Sequence, residues 1–168
     1  MLTRKPQESP AASAKERAAA STKPAPAPVQ LDDLISYFEG QYVPLRDAKV
    51  SIMTHAFMYG TAVFEGIRGY WNEEQETLYA LKVPDHMDRL RRNAQMLLMD
   101  DLPSVDELVR IVVETVRRNG FRQDVYIRPS FYKSDRAVGV RLHTLPTSCT
   151  CSRCRSATTW TSTAAPGS

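Results

Sequence analysis

Hydrophobic and polar positions divide residues 31–143 into short strands and two amphipathic helices. Apolar runs on either side of Glu39-Gly40 predict a hairpin of residues 36–38 and 41–45. Alternating or continuous apolar runs predict four further strands, and Thr54 is placed to cap a short helix between the first two of them. These strands cover residues 49–52, 63–70, 78–83 and 124–132, and the short helix covers residues 55–59.

Two longer helices follow from a period of three to four residues between apolar positions. The first begins near Asp85 and has one apolar face, and the second begins with the capping-box pattern Ser104-x-x-Glu107 and ends at Gly120. The apolar face of the first helix comprises Met87, Leu90, Ala94, Leu97 and Leu98. Strands, two helices and a final strand predict an α+β fold in which one sheet packs against a helix pair.

The two ends of the chain differ from this middle part in composition. Residues 1–30 are rich in Ala, Pro and Lys and have almost no large apolar side chain, so we predict a disordered tail. Residues 144–168 are rich in Ser, Thr and Cys, and we predict that they too are disordered and have no function. The predicted organisation is therefore one folded domain, 31–143, between two disordered segments.

The charge distribution argues against a nucleic-acid partner. Lys and Arg outnumber Asp and Glu by 22 to 19 over the whole chain, but residues 31–143 have 15 basic and 17 acidic side chains. The excess of positive charge thus lies at the two ends, and the middle has no broad basic face. No apolar run reaches the length of about 20 residues that crosses a membrane, and no secretory signal is visible at the N-terminus. We predict a cytoplasmic protein.

The run from Val63 to Tyr70 has the most informative pattern for chemistry. Alternation along a strand places four of its residues on one face, namely Phe64, Gly66, Arg68 and Tyr70. Glycine inside a strand indicates a close approach to the backbone, and the guanidinium of Arg68 suits a carboxylate or a phosphate. The residues alone also allow a strand with a bulge glycine and a surface arginine.

Three motifs resemble the branched-chain amino-acid aminotransferases, which are fold-type IV enzymes. They are Tyr59-Gly-Thr-Ala-Val-Phe-Glu-Gly-Ile-Arg68, His86-Met-Asp-Arg-Leu90 and Tyr126-Ile-Arg-Pro129, in the order and close to the spacing of that family. The resemblance covers about residues 37–143, which correspond to the N-terminal half of such an enzyme. It implies pyridoxal 5'-phosphate as the cofactor and a homodimer for the intact relative.

The same resemblance assigns roles to seven residues. Arg89 occupies the place of the arginine that holds the cofactor phosphate. The Tyr126 and Arg128 pair takes the place that receives the substrate carboxylate. Residues in the place of the substrate side-chain pocket are Tyr59, Phe64, Gly66 and Arg68. An intact relative would transfer the amino group of Leu, Ile or Val to 2-oxoglutarate.

The lysine that binds pyridoxal as a Schiff base has no counterpart in this chain, because the family places it in a second, larger domain. We therefore expect a truncated, inactive aminotransferase to which the cofactor does not attach covalently. One alternative is a non-catalytic partner subunit or dimerisation module. Another is a fragment of a D-amino acid aminotransferase or aminodeoxychorismate lyase relative.

All three cysteines lie in the C-terminal segment, at positions 149, 151 and 154. Cys-x-Cys-x-x-Cys with no fourth ligand nearby is a poor zinc site, and His55 likewise has no second ligand at metal spacing. We hypothesise instead that the segment is translated out of frame after Pro146. Sequencing the coding DNA tests this, because a single-base change should restore the family's next strand and a downstream lysine.

Overall fold

The computed structural model of the chain describes the backbone of residues 30–155 and the side chains of residues 30–152. Seven strands and three helices follow in the order β1 (Ile35–Phe38), β2 (Gln41–Pro44), α1 (His55–Tyr59), β3 (Ala62–Phe64), β4 (Ile67–Asn72), β5 (Thr77–Ala80), α2 (Val83–Met96), α3 (Val105–Asn119), β6 (Val125–Lys133) and β7 (Thr147–Arg155). Short 3-10 turns at Leu31–Asp33 and Leu45–Asp47 flank the first hairpin. The predicted disordered segment before residue 30 lies outside the described residues.

The strands form one antiparallel sheet in the order β2-β1-β7-β6-β4-β5, and β3 pairs with β6 beside β4. Helices α2 and α3 pack on one face of this sheet. The hydrophobic core lies between the two layers and includes Met87, Leu108, Ile127 and Phe131. The α+β fold of one sheet against a helix pair is confirmed.

The two long helices have the predicted ends and apolar faces. In α3 the Ser104 hydroxyl accepts a hydrogen bond of 3.2 Å from the backbone N–H of Glu107, and Gly120 ends the helix in the left-handed region at φ 57°. In α2 the side chains of Met87, Leu90 and Ala94 are fully buried. The pattern also predicts Leu98 on this face, but Leu98 is exposed, because α2 ends at Met96 and Leu98 has a positive φ of 53°.

Two of the strand predictions need correction. Residues 49–52 are not a strand, because local turns take their backbone groups: Lys49 N–H donates to the Asp47 carbonyl, and Thr54 N–H to the Ser51 carbonyl. The strand predicted over residues 78–83 ends at Ala80, and the chain enters α2 at Val83. The hairpin at Glu39-Gly40, the short helix over His55–Tyr59 and the strand near Asp124 are confirmed.

The prediction that residues 144–168 are disordered is wrong for Thr147–Arg155. These residues form β7, which lies between β1 and β6 and pairs with β6 along its whole length. Alternation in this segment directs Cys149 and Cys151 toward the core, where Cys151 is fully buried. The position beside β6 would otherwise leave a row of unpaired backbone groups, which explains why this polar segment pairs there. The hypothesis of a frame change stays a prediction.

Within the described part of the chain no helix is long and apolar enough to cross a membrane.

Candidate functional site

The candidate site lies where β3 and β4 run beside β6. Phe64 pairs with Ser130 and Ile67 pairs with Ile127, so the register with β6 does not change between the two strands. Gly66 therefore lies opposite Arg128 without a bulge. The predicted alternation is confirmed, because Phe64, Gly66, Arg68 and Tyr70 are exposed, whereas the three residues between them are buried.

Gly66 is needed for the close approach of a tyrosine. A Cβ atom at this position would lie 2.2 Å from the hydroxyl oxygen of Tyr126 and 2.9 Å from its Cζ atom. No side chain fits at that distance, so the Tyr126 hydroxyl occupies the space above the glycine backbone. The expectation that something approaches the backbone at Gly66 is met by a side chain of the protein itself.

Arg128 is the centre of a small aromatic cluster on the same face. Its guanidinium carbon lies 4.2 Å from the centroid of the Phe64 ring and 5.4 Å from that of Tyr126. One Nη atom donates to the Tyr126 hydroxyl at 3.3 Å, whereas the buried Nε has no hydrogen-bond partner among the described residues. Cation–π contacts hold this guanidinium without neutralising it. It therefore keeps open donors for a carboxylate.

A groove of about 380 Å³ continues along the same face of the sheet. Its walls come from β1, β3, β6 and β7 and from α1, and they include Phe38, Phe57, Ala62, Ser130 and Thr150. The lining is mainly apolar with a few hydroxyl groups. Such a surface beside a cation is suited to an apolar side chain that carries a carboxylate.

Arg89 on α2 lies in a different arrangement. Its Nε and Nη2 atoms donate to the two carboxylate oxygens of Glu65 at 2.6 Å each, and Nδ1 of His86 lies 2.9 Å from one of these oxygens. The Glu65 side chain is 5% exposed and the Arg89 side chain is 57% exposed. The hydrogen bonds from Arg89 lower the pKa of Glu65; burial opposes this, and the His86 contact adds to it.

The Arg89 donors fit a phosphate group. A guanidinium has five N–H groups, and Glu65 accepts two of them. Nη1 has no partner among the described residues, and the side chain is half exposed, so its outer edge is open to an anion. The sequence patterns do not indicate Glu65 and His86 as site residues. The alternation that places Glu65 on the buried face was the available signal, because a buried carboxylate requires a cationic partner.

Tyr59 contacts a different part of the molecule. Its hydroxyl oxygen accepts a hydrogen bond of 2.9 Å from Gly139 N–H, and its ring packs on His55 with the centroids 4.6 Å apart. His55 is buried and lies 2.8 Å from both the Thr61 hydroxyl and the Gly139 carbonyl. The structure thus brings Phe64, Gly66, Tyr126 and Arg128 together, places Arg68 beside Tyr126 across the strand pair, and gives Tyr59 and His55 the role of holding the loop after β6.

Cysteines and lysines of the described region have no features of reactive groups. Burial raises the pKa of Cys149 and of Cys151 to about 12, and no group of three potential metal ligands occurs in the described region. Lys133 is buried on the helix side of β6, where its Nζ donates to the carbonyls of Leu98 at 2.5 Å and Leu145 at 3.1 Å. Burial lowers the pKa of Lys133, and its position faces away from Arg128.

Comparison with known proteins places this arrangement in a family. No family model matches the chain. The probable branched-chain-amino-acid aminotransferase of Aquifex aeolicus is 53% identical over 100 residues, which are 60% of this chain and 32% of that protein. The corresponding protein of Synechocystis is 39% identical over 112 residues, 66% of this chain and 36% of that protein. The chain thus spans about a third of the length of the curated relatives it matches.

Solved structures give the same result. The branched-chain aminotransferase of Thermoproteus uzoniensis with norvaline superimposes with a TM-score of 0.68 at 38% identity, over 73% of this chain and 40% of that protein. A second branched-chain amino acid aminotransferase, solved with pyridoxamine 5'-phosphate and from the organism abbreviated T.th., superimposes with a TM-score of 0.69 at 31% identity, over 77% of this chain and 43% of that protein. Sequence and fold together identify the matched stretch as an N-terminal segment of the branched-chain amino-acid aminotransferase family.

Proposed function

We propose that this chain is the small-domain half of a branched-chain amino-acid aminotransferase and supplies one wall of its active site. In this proposal Arg89 binds the phosphate of pyridoxal 5'-phosphate, and Tyr126 and Arg128 receive the substrate carboxylate. Phe64, Gly66, Arg68 and Tyr59 contribute to the pocket for the substrate side chain. The single observation that supports it most is the Arg128 guanidinium, which is held by two aromatic rings and not neutralised by a carboxylate of the described residues.

The cofactor, when bound, would carry the amino group between the amino acid and the 2-oxo acid. The residues of this chain would bind and orient the two charged ends of the ligands. A guanidinium presents paired N–H groups, which suits both a phosphate and a carboxylate. Pyridoxamine 5'-phosphate is present in one of the similar structures, which supports this choice of cofactor.

We also propose that the chain binds these ligands without catalysing transfer. The family's covalent lysine has no counterpart by motif, and Lys133 is buried on the opposite side of β6 from Arg128. Weak binding is expected, because one wall of a site buries only part of a ligand.

The test is a titration of the full chain with a leucine-derived 2-oxo acid, followed by amide chemical shifts in NMR spectra. We expect shifts near Arg68, Tyr126 and Arg128 and a loss of binding in Arg128→Lys, which keeps the charge but not the planar fork. Arg110→Lys on α3 is the matched control and should bind as the wild type does. Equal binding by Arg128→Lys and wild type, or measurable transamination by the chain alone, would contradict the proposal.

A second candidate is a non-catalytic partner subunit. The observation in its favour is the apolar surface beside the groove, where Ile52, Phe57 and Phe64 are all more than half exposed. Mixing the chain with an intact branched-chain aminotransferase and measuring co-elution tests this role. Co-elution that is lost in Phe57→Asp would support it, and separate elution of the two proteins would exclude it.

A further inference from the structure

Glu65 has a fixed position between the two binding regions. It follows Phe64 and precedes Gly66 in the chain, and its backbone N–H donates to the Pro129 carbonyl at 3.0 Å. The backbone of Glu65 is thus joined to β6, while its side chain points to α2 on the helix side of the sheet. This residue is the direct link between the strand that carries the aromatic cluster and the helix that carries Arg89.

Glu65 determines which edge of the Arg89 guanidinium is available. The two hydrogen bonds of 2.6 Å occupy the edge formed by Nε and Nη2, so the free donors lie on the edge formed by the two Nη atoms. A half-exposed arginine would otherwise populate many rotamers, and ordering them on binding costs entropy. His86 contacts the same carboxylate at 2.9 Å and keeps it in place.

We propose that Glu65 is a positioning residue, which holds Arg89 with its Nη edge toward the phosphate of the cofactor. The inference rests on the proposed function, in which Arg89 binds that phosphate. A carboxylate close to an anion opposes binding electrostatically, so its presence needs a compensating effect. That effect is preorganisation: the carboxylate is buried, already accepts two bonds from Arg89, and turns the remaining donors outward.

The experiment measures binding of pyridoxamine 5'-phosphate and of pyridoxamine to the full chain by phosphorus and proton NMR titration. Pyridoxamine lacks the phosphate, and neither compound has an aldehyde that reacts with lysines. Glu65→Gln should weaken the affinity for pyridoxamine 5'-phosphate roughly 3- to 10-fold, the effect of one side chain that must be ordered on binding. The affinity for pyridoxamine should not change. A purely electrostatic role would give the opposite sign, with tighter binding of the phosphate after the charge is removed.

Three further variants connect the effect to Arg89. In an Arg89→Lys background, where no fork can form, Glu65→Gln should have no further effect. Glu65→Asp keeps the charge but is one methylene too short to accept both bonds, so it should weaken binding as Glu65→Gln does. Asp88→Asn removes the neighbouring ion pair of 3.2 Å with Arg92 on the same helix and should bind as the wild type does.

A second measurement reports the orientation without a ligand. The Nε–H signal of Arg89 should be visible and slow to exchange in the wild type and should be lost in Glu65→Gln. Unchanged or tighter phosphate binding by Glu65→Gln, while Arg89→Lys binds more weakly, would overturn the positioning role and leave the proposed function intact. Unchanged binding by both Arg89→Lys and Arg89→Ala, or no binding by the wild type, would overturn the proposed function and the inference together.

Discussion

The two faces of strand β6 differ in composition although they alternate residue by residue. Toward the helices, Val125, Ile127 and Phe131 have no exposed surface, and they contact the apolar faces of α2 and α3. Toward the open side, Tyr126 and Arg128 are half-buried beside Phe64 and Gly66. One face contributes most of the buried apolar area, and the other carries nearly all of the candidate binding groups.

The difference shows how a small fold can keep charged groups in fixed positions. Period-two alternation assigns neighbouring residues to opposite faces, so the packed face fixes the backbone to which the open face is attached. Arg128 needs no carboxylate to hold it, because the strand and two aromatic rings position it. Arg89 is attached to a helix and half exposed, and it requires Glu65.

The largest expected effect is on the packed face. Phe131→Ala should lower the free energy of unfolding by about 3–5 kcal/mol, because it removes a fully buried ring from the core. Urea unfolding followed by circular dichroism measures this. Ser130→Ala, the next residue on the open face, is the control and should change stability by less than about 0.5 kcal/mol. Similar losses in both variants would contradict the division between the faces.

A smaller effect is expected from Gly66→Ala, which places a methyl group against the Tyr126 ring on the open face. The collision at 2.2 Å should cost about 1–3 kcal/mol, as overpacking usually does. In a Tyr126→Phe background the oxygen at 2.2 Å is absent and the ring atom at 2.9 Å remains, so the cost should be partly relieved. An equal cost in both backgrounds would mean that another contact opposes the new methyl group. Thermal and urea unfolding of the four proteins give the comparison.

Phe64→Leu tests the cation–π contact by itself. Phe64 is more than half exposed, and the Arg128 guanidinium carbon lies 4.2 Å from its ring, so the variant should lose about 0.5–1 kcal/mol. Tyr70→Leu on the same face, where no cation of the described residues lies over the ring, should lose less. Urea unfolding of both variants checks the difference, and an equal loss would assign the effect to apolar contact alone.

The smallest effect on stability is expected from the Glu65 ion pair, because Arg89 is half exposed and solvent screens the pair. Arg89 holds the pKa of Glu65 below its ordinary value, so the pair stabilises the fold above that ordinary value, near pH 4, and the contribution is lost as the pH falls further. The stability difference between wild type and Glu65→Gln should therefore be present at pH 7 and shrink below about pH 4. Urea unfolding at a series of pH values measures it, and a difference independent of pH would contradict the lowered pKa.

Much of the fold follows from local sequence signals. Glu39-Gly40 between apolar runs, the Ser104 cap and Gly120 after the last turn of α3 each specify a boundary that the structure has. Alternation from Val63 to Tyr70 places Phe64, Gly66 and Arg68 on one face. The motif resemblance supplies the roles of Arg89, Tyr126 and Arg128, which stay predictions until ligand binding is measured.

The errors share a different cause. Residues 49–52 are apolar enough for a strand, but the chain turns on itself there and no neighbouring strand of the described region pairs with it. Residues 147–155 have little that indicates order, yet they fill the position between β1 and β6. Strand pairing depends on which backbone groups are left unpaired elsewhere in the sheet, and a local pattern does not contain that information.

By itself the sequence determined the helix ends, the alternation of faces and the kinds of side chain available for phosphate and carboxylate. Only the tertiary structure decided that the Tyr126 hydroxyl occupies the space above Gly66, that Glu65 and His86 hold Arg89, and that Tyr59 contacts the loop after β6. The physical reason is distance along the chain. Caps and periods act over three or four residues, whereas the contacts of Gly66 and Arg89 join elements that lie 60 and 24 residues apart.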